Sequence, residues 1–280
     1  MKLRKVTAAS AAVLALAVTA TACGSSDDDK GDGGSSGGNS ITIGIKFDQP
    51  GLGQKTADGK YTGFDVDVAT YVAKQLGYSA DQIQWKEAKS ADRETMLQRG
   101  DVDFIAATYS INDEREQKVD FAGPYLLAHQ DVLVRADEKD IKSPSDLNSK
   151  KLCSVAGSTS AQNVKEKLAP KAQLQQYQTY SQCLTGLENG AIDALTTDDS
   201  ILAGYAAQAN FKGKFKLGGF KMTNENYGIG VKKGSDLKAK INTALEKMVS
   251  DKSWDKAVEA NFGPANYKNE PAPTIGDIKK

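Results

Sequence analysis

Val-Asp-Phe-Ile-Ala-Ala-Thr-Tyr-Ser-Ile-Asn-Asp-Glu-Arg, residues 102–115, is the stretch that decides the fold. Residues 102–107 are a largely apolar run of strand length, which breaks into hydroxyl residues at Thr108 and Ser110. Asn112-Asp113 then suits the cap of a short charged helix carrying Arg115. The pattern is a buried strand whose carboxyl end presents donors. In open α/β sheets small ligands settle in the crevice beyond such ends, so hydroxyls and one arginine suit a small anion, most simply a carboxylate. Taken alone, the stretch fits an ordinary loop with a solvated arginine better. The rest of the chain shifts that balance.

Upstream, Ile41, Ile43 and Ile45 alternate as a strand ending at Lys46, and Asp58-Gly59 marks a turn. Phe64, Val68, Val72 and Leu76 share one face of a helix stopped by Gly77. Ile83 and Trp85 mark a second strand, and a helix over 92–99, with Arg93 near its start, feeds the strand into Thr108. Downstream, residues 128–135 are extended and apolar, and the polar stretch 137–148 fits a change of domain. The second half then repeats the logic of the first. A strand over 151–155 ends in Gly157-Ser158-Thr159-Ser160 before a helix to about 168, and a weak strand covers 174–177. A helix over 180–189 leads to a strand over 191–195 ending in Thr196-Thr197-Asp198-Asp199, with a helix over 200–209 after it. A strand over 227–231 and helices over 236–249 and 253–261 complete the chain. Strands alternating with helices predict an α/β protein with mostly parallel sheets.

Four strand ends thus carry polar clusters, two in each half: Lys46, Thr108 with Ser110, Ser158 to Ser160, and Asp198. If the halves face each other, these converge in one cleft. Ser158, Thr159 and Ser160 stand at a predicted helix start, where free N–H groups favour an anion; plain helix capping explains them equally well. Arg115 supplies a fork for a carboxylate, and Asp198 suits an ammonium group nearby, a set that fits an α-amino acid. Asp198 and Asp199 also fit as caps of the following helix. His129 is the sole histidine and lies on the apolar extended segment, so the sequence offers no ligand cluster for a metal and calls for no cofactor.

Residues 1–22 have the build of an exported signal segment, with a basic start, an apolar core over 8–20 and small residues before Cys23. Ala20-Thr21-Ala22-Cys23-Gly24 resembles a bacterial lipobox, departing from it at Ala20, where leucine is usual; it implies lipidation of Cys23. Residues 24–40, nearly all Gly, Ser and Asp, read as a flexible tether with a span of roughly 20–25 Å. Of 36 basic and 36 acidic residues, three basic ones fall in the signal segment, so the remainder carries a net charge of −3. With no basic stripe, nucleic acid is excluded as a partner class. Cys153 and Cys183, the two cysteines left, lie in the second half of an exported chain and read as a disulfide tying a strand to a helix, free buried thiols being the alternative.

Gly63-Phe64-Asp65-Val66-Asp67-Val68, followed by Val72-Ala73 and Leu76, resembles the signature of the extracellular solute-binding proteins, family 3, of ABC importers. The Ser110 to Arg115 element, the 120–125 stretch and the Gly157 to Ser160 loop are similar too, and the Lys46 to Gly51, Thr196 to Asp199 and cysteine-pair features look most like Gram-positive glutamate-binding lipoproteins. The resemblance implies a periplasmic-binding-protein type II fold: lobe 1 over 41–131 and 223–280, lobe 2 over 132–222, and two crossover strands as hinge. It implies that Arg115 takes the α-carboxylate with Ser110, Thr108 and Thr159 beside it, and that Asp198 takes the α-ammonium. Lys46 or Arg93 then reads an acidic side chain. The implied protein is a monomeric, lipid-anchored binding subunit on the outer face of the membrane, delivering glutamate, or aspartate or glutamine, to permease and ATPase subunits. A dehydratase-like enzyme and a ligand-sensing receptor module are the alternatives on the same fold. No histidine sits among the candidate site residues, which favours binding over catalysis.

Overall fold

Ile41, Ile43 and Ile45 are buried together with Gly44 between them in pattern, the mark of a strand covered on both faces. The computed structural model containing them describes residues 40–279; the signal segment, Cys23 and the tether before Ser40 lie outside these. In chain order the first half holds β1 (Ile41–Ile45), a small antiparallel sheet of β2 (Asp48–Gln49), β3 (Gly53–Lys55) and β4 (Tyr61–Thr62), then α1 (Phe64–Gln75) and β5 (Ile83–Glu87). It continues through α2 (Arg93–Arg99), β6 (Phe104–Ile105), α3 (Asp113–Glu116) and the long β7 (Val119–Arg135). After β7 come β8 (Lys151–Val155), α4 (Thr159–Asn163), β9 (Gln173–Tyr177), α5 (Tyr180–Glu188), β10 (Ala194–Asp198), α6 (Asp199–Ala207) and β11 (Phe215–Leu217). The chain ends with β12 (Asn224–Lys232), α7 (Leu237–Ser250) and α8 (Ser253–Phe262).

The strand order is β5-β1-β6-β12-β7-β10-β8-β9, with β11 on the side of β7. On one side β1 lies parallel between β5 and β6; on the other β8 lies parallel between β9 and β10. Between these parallel units β12 and β7 run antiparallel. Residues 119–129 of β7 pair with β12, and residues 130–135 pair with β10 and β11, so this single strand belongs to both units. The sequence pattern finds only the second part of β7, and of the small sheet over 48–62 it finds only the turn at Asp58-Gly59 between β3 and β4.

Phe64, Val68 and Val72 of α1 are fully buried, and Ile241, Leu245, Trp254 and Phe262 from α7 and α8 join them in the largest apolar cluster. Phe64 meets Trp254 edge-on at 5.9 Å and Phe262 at 5.0 Å between ring centroids. With each such buried side chain contributing about 1.5–3 kcal/mol, this cluster fixes the C-terminal helices against α1. Gly63 opens α1 at φ 120°, where an added Cβ would lie 2.1 Å from the Leu52 carbonyl oxygen, so only glycine fits. Among the described residues no helix is long and apolar enough to cross a membrane.

Candidate functional site

Asn112 caps α3 by accepting from the Arg115 amide at 2.9 Å, which sets the arginine just beyond the end of β6. Its buried guanidinium donates from Nη1 to the Ser110 carbonyl at 2.7 Å and from Nη2 to the Gly157 carbonyl at 3.1 Å, and Nε lies 3.4 Å from Glu94. The Gly157 bond crosses from the first unit to the loop after β8. Thr159 Oγ1 lies 3.5 Å from Ser110 Oγ across the same seam and donates to Glu225 on β12 at 2.9 Å. Ser158 caps α4, accepting from the Ala161 amide at 3.0 Å. Ser160 donates to Asp198 at the end of β10 at 3.2 Å, and the Tyr227 hydroxyl donates to the other carboxylate oxygen at 2.5 Å. Asp199 accepts from the His129 amide and from Tyr267, so of the two neighbouring acids only Asp198 joins this network.

Lys46 is 4 % exposed and donates to Ser90 at 2.8 Å. Burial and the charges of Arg93 and Arg115 bring its pKa down to about 7, while Asp48 and Glu87 oppose the shift through space. Arg93 is more deeply committed: Nη1 donates to the Ala107 carbonyl at 3.0 Å and lies 3.4 Å from that of Thr108, and the guanidinium carbon lies 4.0 Å from the Tyr109 ring centroid. Arg115 approaches the same ring at 5.0 Å. Contacts therefore run from Asp198 through Ser160, Thr159 and Ser110 to Arg115, and through the Tyr109 ring that both guanidinium groups face to Arg93 and Thr108.

Electrostatically the seam brings a basic cluster and a buried acid together. Lys46, Arg93 and Arg115 gather buried positive charge in the first unit, whereas Asp198 is pushed well above the usual carboxylate range by burial and then by the nearby charge of Glu225. A cation beside Asp198 and an anion beside Lys46 and Arg115 would each relieve a penalty. A zwitterion with one further negative charge supplies both.

The halves also touch away from these charges. Asp48 accepts from the Tyr205 hydroxyl at 3.0 Å and from the Ser181 amide at 3.3 Å, and Gly204 lies so near the Pro50 carbonyl oxygen that an added Cβ would sit 2.0 Å from it. A groove of about 420 Å³, lined in part by Ser90, Glu94, Arg115, Gly157 and Ser158, runs beside the seam. Lys46, Thr108 and Asp198 do not line it and are buried.

Over residues 41–264 the sequence matches the bacterial extracellular solute-binding proteins, family 3. The chain belongs to that family. This solute-binding protein is 46 % identical to the glutamate-binding protein GluB of Corynebacterium efficiens over 271 residues, 93 % of this chain and 91 % of the relative. It is 42 % identical over 219 residues to the ABC transporter glutamine-binding protein GlnH of Bacillus subtilis, covering 77 % and 78 % of the two chains. An ancestral arginine-binding protein bound to glutamine superposes with a TM-score of 0.75 at 36 % identity, over 80 % of this chain and 98 % of that one. The fold is thus periplasmic-binding-protein type II, with β7 and β12 as its crossover strands, as the resemblance implies.

Four residues of this network escape the sequence reading of the site. Asp65 enters there only within the stretch that carries the family resemblance, and as an acid in the first turn of α1 it needs no explanation beyond the helix dipole. Its carboxylate is instead fully buried and accepts from the Thr108 amide and from Tyr125. Glu225 and Tyr227 lie on a strand whose partner is about a hundred residues away, Gln49 lies on a strand of two residues, and no local pattern singles them out.

Proposed function

We propose that this solute-binding protein is the lipid-anchored, monomeric receptor subunit of an ABC importer, capturing an acidic amino acid, glutamate foremost, between two lobes over 41–131 with 223–280 and over 132–222. Arg115 holds the α-carboxylate, assisted by Ser110, Thr108, Thr159 and Ser158, and Asp198 with Ser160 holds the α-ammonium. Closed around its ligand, the protein is the form that the permease and ATPase subunits receive. The relative named for glutamate supports an acidic ligand, and the one named for glutamine supports an amino acid of the same side-chain length.

The observation that carries the acidic preference is Lys46, a buried amine with the like charges of Arg93 and Arg115 nearby and a serine as its hydrogen-bond partner. Arg93, the other candidate, already has main-chain carbonyls as partners. Lys46→Met is expected to weaken glutamate binding by about 2 kcal/mol or more, and glutamine binding far less, in calorimetric titration of protein stripped of ligand. Equal losses would remove Lys46 from the selectivity role. The pH dependence has a definite sign. In the empty site Lys46 is charged below about pH 7 and neutral above it, and a carboxylate ligand favours the charged form. The ratio of glutamate to glutamine affinity should therefore fall as pH rises above 7, and taking the ratio cancels the titration of Asp65 and Asp198, which both ligands share. A ratio flat from pH 6 to 8.5 counts against the pairing.

Membrane attachment is assigned to Cys23, which lies outside the described residues. Cys23→Ser should move the mature chain into the soluble fraction with unchanged ligand affinity; continued fractionation with membranes would require another anchor.

A further inference from the structure

We propose that Asp65 is a positioning residue, whose buried carboxylate acts with Arg93 to hold Thr108 in a left-handed backbone conformation and so shapes the end of β6 for ligand. The inference rests on the binding reading above. Thr108 has φ 45°, a region β-branched residues almost never adopt without compensation. Here the compensation is explicit. The peptide unit joining Ala107 to Thr108 is held at both polar ends: its N–H donates to Asp65 Oδ2 at 2.8 Å and its carbonyl accepts from Arg93 Nη1 at 3.0 Å. The Thr108 hydroxyl lies 3.1 Å from Gln49 Oε1, a third tie from a third element.

Asp65 is in turn fixed by the Tyr125 hydroxyl at 2.7 Å and is fully buried. Burial raises its pKa to about 6, against the bonds from Tyr125 and Thr108 and the charges of Lys46 and Arg93. This carboxylate, at the start of a helix, accepts its hydrogen bonds from a strand end 43 residues away and from Tyr125, not from the helix itself. What it constrains is Thr108, two residues before Ser110. This gives Arg93 a task other than reading the ligand side chain: it supports the same peptide unit from the carbonyl end.

The test is a double-mutant cycle of Asp65→Ala and Thr108→Gly in glutamate titration. Glycine adopts the left-handed region unaided, so Asp65→Ala should cost at least tenfold in affinity with threonine at position 108 and less than threefold with glycine there. Equal losses in both backgrounds would overturn the proposal, because Asp65 would then act independently of Thr108. Amide hydrogen exchange on the ligand-free protein provides a readout that needs no binding and tolerates failure of the alanine variant to fold. In Asp65→Leu, which removes both acceptor oxygens, the Thr108 amide should exchange at least tenfold faster than in the unmutated chain, while that of Ile45 in β1 stays unchanged. An unchanged Thr108 rate in folded protein would refute the clamp. If Arg115→Ala left glutamate binding intact, the binding reading would fail while the exchange result still judged the clamp.

Discussion

Arg115→Ala is expected to abolish most glutamate binding while leaving the protein folded. Losing one partner of a desolvated charge pair costs about 2–5 kcal/mol, a fall in affinity of roughly thirtyfold to several thousandfold. The geometry supports the upper part of that range. A guanidinium has five N–H donors, and Arg115 commits one each to Ser110 and Gly157 and sets Nε 3.4 Å from Glu94, which fixes the plane of the fork and leaves one N–H on each terminal nitrogen for a ligand. Because the Gly157 carbonyl belongs to the opposite unit, the same substitution removes a bond across the seam. Arg115→Lys should fall between the two, since lysine retains the charge without the planar fork. Titration against glutamate, with the melting temperature as a control for folding, measures both. An affinity within twofold of the unmutated protein would sink the assignment of Arg115 to the α-carboxylate.

Arg115 was legible in the sequence because its chemistry and its setting coincide: an apolar run, hydroxyls, a capping pair and then an arginine. The same holds for Ser158 to Ser160 and for Asp198, each placed directly after a recognisable strand. The periodic elements were legible too, with α1 read from Phe64, Val68 and Val72 and found at Phe64–Gln75. Part of what stayed hidden depends on partners remote in the chain. β7 begins at Val119, yet Gly123-Pro124 reads as a break; the strand persists because β12, about a hundred residues later, pairs with it on both sides of that dipeptide. β2 and β4 have two residues each and carry no period at all. Asp65 shows the limit most clearly. A carboxylate in the first helical turn is ordinary in sequence, and only the folded structure turns it toward Thr108. The ligand role of Lys46 rests on strand-end logic joined to a family resemblance, and neither source alone assigns it.

Replacing both Cys153 and Cys183 by alanine is expected to destabilise the protein substantially and to spare its affinity. The structure joins these residues, linking β8 to α5 across a sequence separation of 30. In the chain-entropy account, closing a loop of that length is worth about 3–4 kcal/mol. For a protein of this size that corresponds to a drop in melting temperature of roughly 10 °C. Alanine is preferable to serine because both positions are fully buried and an unpaired hydroxyl would add its own penalty. Affinity should change little because the folded geometry of the site does not depend on the bridge for its bonds: Ser158 is held by Val155 and Ala161, and Asp198 by Ser160 and Tyr227. The bridge constrains the unfolded chain, whereas the site is built from contacts that exist only in the folded one. Peptide mapping of unreduced protein checks the pairing, and thermal melts beside titrations check the separation. An unaltered melting temperature, or an affinity that collapses in a variant still folded, would show that the bridge and the site are not divided in this way.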